Sequence, residues 1–252
     1  MVTKLNRRDR VRAATVTEIK DTARSLLVSE GPDGLSLRAI AREMGMTAPA
    51  LYRYFPSRED LVLALIADLY DELTATIAAA RDEQDPADAP MQLAAASRAF
   101  RHWARAHQRE FGLLFGSPIP GIDVRHGADG GDDDNPAHQA AERFGQLFGE
   151  LVARIYLAAP FPIPADEEID PALREELRTW CREFPVDMPL GAAQVFMSCW
   201  IRLYGMVAME VFGHMDFALP DAEPIFEVEL RDLAAKLGFA DRYAPPPTLN
   251  PA

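Results

Sequence analysis

Residues Ser36–Leu61 read SLRAIAREMGMTAPALYRYFPSREDL, and this stretch decides the fold. Leu37, Ile40, Ala41 and Met44 recur at helical spacing, and Gly45 follows the last of them, where a helix ends most easily in a left-handed residue. Thr47 then offers a hydroxyl as N-cap to a second helix from Ala48. Pro49 is tolerated in that first turn because its missing N–H would have had no intrahelical partner. Phe55 precedes Pro56, and a residue before proline is pushed away from helical geometry, so the second helix ends near Tyr54. Ser57 and Asp60 have the spacing of a capping box and open a further helix. Two short helices joined by a glycine turn and followed at once by a third are the grammar of a helix-turn-helix nucleic-acid reader.

Leu51 and Phe55 lie four apart and face the core, which leaves Thr47, Ala48, Pro49, Tyr52, Arg53 and Tyr54 for the outer surface. Small residues at the start of the second helix allow close approach to base edges. Arg58 sits in a helical first turn beside exposed N–H groups, and a helix N-terminus with a guanidinium suits a phosphate.

In these residues the chain resembles the TetR family of bacterial transcriptional repressors. It supplies the family's Ile40-Ala41 pair, the Gly45 turn, Leu51-Tyr52-Arg53-Tyr54-Phe55, and Ser57-Arg58-Glu59 with Leu61. The resemblance implies that Tyr52, Tyr54 and Arg58 contact phosphates, and that Thr47, Ala48, Pro49, Ala50 and Arg53 lie where the family reads bases. Ser36 and Arg38, at the start of the preceding helix, complete the DNA-facing set. Arg58 stands where the family usually has lysine, which keeps the charge and changes the contact geometry.

The 252 residues carry a formal net charge of -13 and a hydrophobic content of 48%, enough for one sizeable core and a small appended domain. The charge is unevenly spread. Residues 1–58 hold 11 Lys+Arg against 6 Asp+Glu, a net of +5, whereas residues 59–252 hold 15 against 33, a net of -18. An electropositive reader on an acidic body focuses phosphate attraction on one face and repels DNA elsewhere. Cys181 and Cys199 are too few for a disulfide framework, which fits a reducing cytoplasm. Lys4, Arg7, Arg8, Arg10 and Arg12 lead into no uninterrupted apolar region, so they read as a basic arm rather than a signal peptide. Such an arm is either a groove or phosphate contact, as in other helix-turn-helix proteins, or a plain disordered terminus.

Helical periodicity continues along the chain. A first helix from about Ala14 to Glu30 carries Val16, Ile19, Ala23, Leu26 and Leu27 on one face, and one from Ser57 to about Arg81 carries Leu61, Leu65, Leu69, Leu73 and Ile77 in a stripe. Further helices run from about Met91, from Pro136 to Ala158, over 171–183 and from Asp221 to Leu237. Residues 117–136 hold prolines, glycines and an acid run, and read as a solvated loop. His126, Asp129, Asp132 and His138 around it match no zinc or EF-hand spacing, so no metal is expected. Pro189 to Phe212 is apolar nearly all round. Arg202 within it and Glu210 near its end would be costly in a bilayer, so the run is expected to be buried in protein, one face lining a core or cavity and the other meeting a second subunit.

This half is similar to a subgroup of TetR-like regulators with a His-x-x-Glu-Phe-x-Leu segment, a Pro-x-Pro-Gly loop and a Trp-x-x-x-x-Gly helix. Here these are His107 to Leu114, Pro118 to Gly121 and Trp200 to Gly205, with Tyr204 where that subgroup has histidine. The resemblance implies an all-α homodimer that binds a pseudo-palindromic operator and lets go when a small molecule enters the C-terminal domain. Its expected organisation is a flexible basic arm (1–12), a helix-turn-helix domain (13–58), a helical ligand-binding and dimerisation domain (59–240) and a Pro-rich tail (241–252). Candidate ligand contacts are the aromatics Trp103, Phe111, Phe115, Phe144, Phe148, Trp200 and Tyr204, although an aromatic at helical spacing is more often a plain core residue. The expected ligand is largely apolar, with one polar group near Arg202 or Tyr204. A C-terminal domain that senses no ligand and serves dimerisation or a protein partner is the alternative. No Gly-rich phosphate loop, nucleophile elbow or His-Glu-x-x-His is present, so neither catalysis nor a cofactor is expected.

Overall fold

The computed structural model describes residues 6–119, 122, 135–182 and 188–245, apart from the side chain of Asp33. The described residues contain no strand. The helices are α1 (Arg7–Glu30), α2 (Leu37–Glu43), α3 (Ala48–Tyr52), α4 (Arg58–Asp82), α5 (Ala89–Ala106), α6 (Gln108–Phe115), α7 (Pro136–Ala158), α8 (Pro171–Arg182), α9 (Leu190–Val211) and α10 (Glu223–Lys236). Short 3₁₀ turns lie at Pro32–Gly34, Asp166–Glu168 and Ala240–Arg242. The chain forms two compact units: residues 1–72 with 107–142, and residues 73–106 with 143–252.

In the first unit α1 packs on α2 and α6, and α2 on α3. Ile19, Leu27, Ile40, Leu51 and Leu61 are at most 1% exposed, each burial contributing about 1.5–3 kcal/mol. The Asn6 carboxamide accepts a hydrogen bond from the Asp9 N–H at 2.9 Å, so α1 starts at Arg7 rather than near Ala14. Residues 7–12, expected to be a flexible arm, are therefore helix; residues 1–5 lie outside the described residues. The expected boundary at residue 58 also moves, because α4 up to Glu72 is tied to this unit. Lys20 pairs with Asp68, and Arg24 reaches Glu72 at 2.5 Å and Glu110 on α6 at 3.0 Å.

In the second unit α9 packs on α5, α8 and α10. By length and composition α9 could cross a membrane, but its charges have protein partners. Arg202 pairs with Glu229 and Asp232 on α10, and Glu210 accepts two hydrogen bonds at 2.7 Å from Arg101 of α5, which is 1% exposed. Phe196, Leu203 and Val207 face inward, whereas Ile201 is 62% and Met209 45% exposed, so one chain covers only part of the apolar helix.

Two sequence expectations on loops change or fall away. The tail expected from residue 241 begins later, since Ala240–Arg242 make a 3₁₀ turn and Tyr243 is buried; residues 246–252 lie outside the described residues. Most of the expected loop 117–136, with His126, Asp129 and Asp132, also lies outside them. His138 sits 3.3 Å from Glu142 on the same helix, and among the described residues no three metal-ligating side chains cluster.

Candidate DNA interface and ligand cavity

The reader is built from local interactions. The Ser36 hydroxyl accepts from the Ala39 N–H at 3.1 Å and opens α2. Gly45, at φ 66°, closes it: the Gly45 N–H reaches the Arg42 carbonyl and the Met46 N–H the Ala41 carbonyl at 2.8 Å, a Schellman ending that a side chain at Gly45 would strain. Thr47 differs from its expectation. It precedes α3, but its hydroxyl makes no capping hydrogen bond. Thr47, Pro49 and Arg53 are exposed, Tyr52 is 48% exposed, and Ala48, Ala50 and Tyr54 are half-buried, while Leu51 and Phe55 fill the core behind them. Arg38 is exposed on α2 and Ser36 half-buried.

Two arginines brace this surface. Arg12 on α1 lies 5.2 Å from the Tyr54 ring centroid, and its Nη2 approaches the Arg53 carbonyl at 3.5 Å, at the C-terminal end of α3. Arg58, read from sequence as a phosphate contact, donates from Nε to the Leu35 carbonyl at 2.7 Å and from Nη2 to the Pro32 carbonyl at 3.3 Å. Its guanidinium thus clamps the turn before α2 onto the start of α4. The Ser57–Asp60 capping box forms as expected, with both reciprocal bonds at 3.0 Å.

The second unit holds a cavity between α5, α7, α9, α10 and the chain after α10. Its walls are Leu93, Ala94 and Ser97 of α5; Phe148 and Val152 of α7; Phe196, Cys199, Trp200 and Leu203 of α9; Leu230, Leu233 and Ala234 of α10; and Leu237, Phe239 and Tyr243 beyond. It contains about 470 Å³ of empty space, part of it open to solvent. The lining is apolar except for Ser97, Cys199, Tyr243 and the Trp200 indole N–H. The Ser97 hydroxyl is spent on the Leu93 carbonyl at 2.9 Å. Burial pushes the Cys199 thiol up, more than nearby Lys236 and Arg202 pull it down, so the thiol stays protonated and unreactive.

At one end Arg98 forms two 2.8 Å hydrogen bonds to Glu227, and its Nη2 reaches the Tyr243 hydroxyl and the Ala244 carbonyl, each at 3.0 Å. The Tyr243 hydroxyl donates to Glu227. Burial pushes the Glu227 carboxyl up, but the bonds from Arg98 and Tyr243 outweigh it and hold the group below its ordinary value. Burial, reinforced by the Glu227 carboxylate, pushes the Tyr243 phenol well above its ordinary value.

Of the seven aromatic candidates, Phe148 and Trp200 line the cavity. Phe144 stands behind them in a cluster with Phe100, its ring 5.7 Å from Phe148 and 5.6 Å from Trp200. Tyr204 stacks on Trp200 at 6.1 Å without lining the space, and Trp103 is buried further along α5 than the lining. Phe111 and Phe115 belong to the first unit, 4.9 Å from each other, with Phe115 edge-on to Tyr70. Arg202, ion-paired to α10, is likewise absent from the walls. Sequence reasoning missed the α10 and Tyr243 contributions. No local signal marks them, since Arg98 and Tyr243 stand 145 positions apart.

Two family models match the chain: "Bacterial regulatory proteins, tetR family" over residues 19–65 and "Tetracyclin repressor-like, C-terminal domain" over residues 93–233. The HTH-type transcriptional regulator Rv1816 of Mycobacterium tuberculosis is 32% identical over 243 residues, covering 92% of this chain and 95% of the relative. The crystal structure of SCO4313 superposes with a TM-score of 0.70 at 30% identity, covering 91% of this chain and 100% of that one. A protein of unknown function from Rhodococcus sp. RHA1 superposes with a TM-score of 0.63 at 22% identity, covering 89% and 95%, which bears on the fold alone.

Proposed function

Since the chain belongs to the TetR family of bacterial regulatory proteins and is a helix-turn-helix transcriptional regulator, we propose that it is a dimeric repressor released from its operator by a small apolar molecule. The observation that carries this reading is the pairing of an exposed α3 in one unit with an apolar cavity in the other. α3 enters the major groove, with Thr47, Ala48, Pro49, Ala50 and Arg53 toward base edges and Ser36, Arg38, Tyr52 and Tyr54 toward phosphates. Arg58 acts by holding α2 and α4 together as well as by its charge. The uncovered Ile201 and Met209 on α9 make the two-fold contact with a second copy. A two-fold dimer requires half-sites about one helical turn, or a multiple, apart.

The effector is matched to a lining whose polar atoms are already engaged or weak: it is uncharged and mostly hydrocarbon. It releases DNA only if it binds the non-fitting state more tightly than the fitting one, and operator DNA then lowers its affinity by the same factor. The test selects bound random DNA with the purified protein, then titrates the enriched site by fluorescence anisotropy with compounds that raise the melting temperature. An inverted-repeat site released by a stabilising apolar compound supports the reading. Enrichment of no inverted repeat sinks the dimeric operator, and saturating ligands that leave DNA bound sink the switch.

A further inference from the structure

The chain after α10 forms one wall of the cavity. α10 is capped at Leu237, and Gly238, at φ 78°, turns the backbone in a Schellman ending, its N–H on the Ala235 carbonyl and the Phe239 N–H on the Ala234 carbonyl at 2.9 Å. Residues 239–245 then cross back over the cavity, with the Phe239 and Tyr243 rings in its wall. Beyond Phe239, whose N–H is held by α10, this strap is fastened by Arg98 to the Tyr243 hydroxyl, the Tyr243 ring (5.3 Å to its centroid) and the Ala244 carbonyl, by Tyr243 to Glu227, and by Arg242 to Asp88 at 2.9 Å. With the strap in place, about 40 Å³ of room is left, far below the roughly 300 Å³ of an ordinary small-molecule pocket.

Tyr243 is itself shaped like a bound guest. Its ring is 9% exposed in an apolar enclosure, and its hydroxyl is the one group there that both donates to a carboxylate and accepts from a guanidinium. Elsewhere the polar groups of the wall residues are the committed Ser97 hydroxyl, the Cys199 thiol and the Trp200 indole N–H, none of which both donates and accepts in this way. We propose that residues 239–245 are a displaceable strap, and that the effector is a neutral apolar molecule bearing one phenol-like hydroxyl, which replaces the Tyr243 hydroxyl between Glu227 and Arg98. This rests on the reading of the cavity as the effector site. It accounts for how so small a space admits a ligand and for how occupancy is signalled, since the guest and the strap exclude each other. A carboxylate is rejected, because Glu227 already occupies the Arg98 fork with the matching charge.

The experiment uses the full chain with 4-propylphenol and propylbenzene as probes. Binding is measured by calorimetry, and strap displacement by the rate of tryptic cleavage after Arg242. The phenol is expected to bind about tenfold more tightly than propylbenzene and to accelerate that cleavage. Tyr243→Phe, which keeps the ring and loses the latch hydroxyl, is expected to strengthen phenol binding. Tyr243→Ala, which opens the space, is expected to strengthen it further. Equal affinity for the two probes, or phenol binding that leaves Arg242 cleavage unchanged, overturns the strap while the cavity stands as the effector site. Failure of both probes to bind the native chain and Tyr243→Ala overturns the cavity reading as well.

Discussion

Between Ser36 and Arg58 the first unit places its whole candidate DNA surface in a short continuous stretch, whereas the second unit gathers its cavity from positions 93 to 243. The contrast reflects the ligand each must meet. A groove reader needs one short helix presented outward on a rigid support, and caps plus a glycine turn supply that from neighbours a few residues apart. An enclosed apolar space needs walls from several helices, and only packing brings those together. The polar atoms follow the same division. In the reader most side-chain polar groups face solvent, whereas in the second unit Arg98, Arg101 and Glu227 are drawn inward and matched.

That matching is where the largest mutational effect is expected. Arg101→Ala leaves the Glu210 carboxylate with Arg105 alone, at 3.1 Å, and should cost about 3–5 kcal/mol in urea unfolding. Arg101→Met combined with Glu210→Leu should recover most of it. A loss under about 1 kcal/mol for the single change would show that the pair is not a structural member of this unit.

Next in size is the latch. Tyr243→Phe removes a hydrogen bond to a charged group and should destabilise by about 1.5–3 kcal/mol. The pH dependence has a definite sign. An unfolded phenol ionises near about 10, whereas the folded Tyr243 phenol holds its proton above that, so its contribution is fully present below about pH 10 and is lost as pH rises through the folded value. The Glu227 carboxyl lies below its ordinary value, so its share is present above about pH 4.3 and is lost as pH falls through the folded value. Tyrosinate absorbance should show one of the six phenols ionising after the rest, and that step should vanish in Tyr243→Phe.

In the reader, Arg58→Ala should weaken operator binding about tenfold, and the dependence on salt decides why. If Arg58 acts by clamping Leu35 and Pro32, the slope of log affinity against log salt stays as in the native chain; a direct phosphate contact makes it shallower by about one. The smallest effects separate two residues that look alike in sequence. Ser36→Ala should cost about 1 kcal/mol of stability because its hydroxyl caps α2. Thr47→Ala should leave stability within about 0.5 kcal/mol, because no cap is lost, while changing which bases are preferred in a selection from random DNA.

Much of the helical layout was legible. α7 runs from Pro136 to Ala158 as its periodicity suggests, and α4 carries its stripe from Leu61 to Ile77 with every member buried. The errors share a cause. Residues 7–12 look like a loose arm because their charges lack apolar periodicity, yet Asn6 caps them into α1 and Arg12 reaches across to Arg53 and Tyr54. Phe111 and Phe115 are candidate effector contacts as aromatics alone, and the structure places them together in the first unit.

The sequence by itself determined the helices, their stops at Gly45 and before Pro56, the burial of Leu51 and Phe55 behind an outward-facing α3, and the uneven charge. These rest on interactions within about four residues or on composition, so the order of residues contains them. Tertiary structure alone decided that Arg58 clamps two carbonyls, that Phe148 and Trp200 line a cavity while Phe144 and Tyr204 stand behind it, and that Tyr243 joins its wall, bonded to Arg98 and Glu227. A side chain's burial and its partner depend on which distant helix arrives beside it, and with 129 positions between Arg98 and Glu227 no local spacing encodes that meeting.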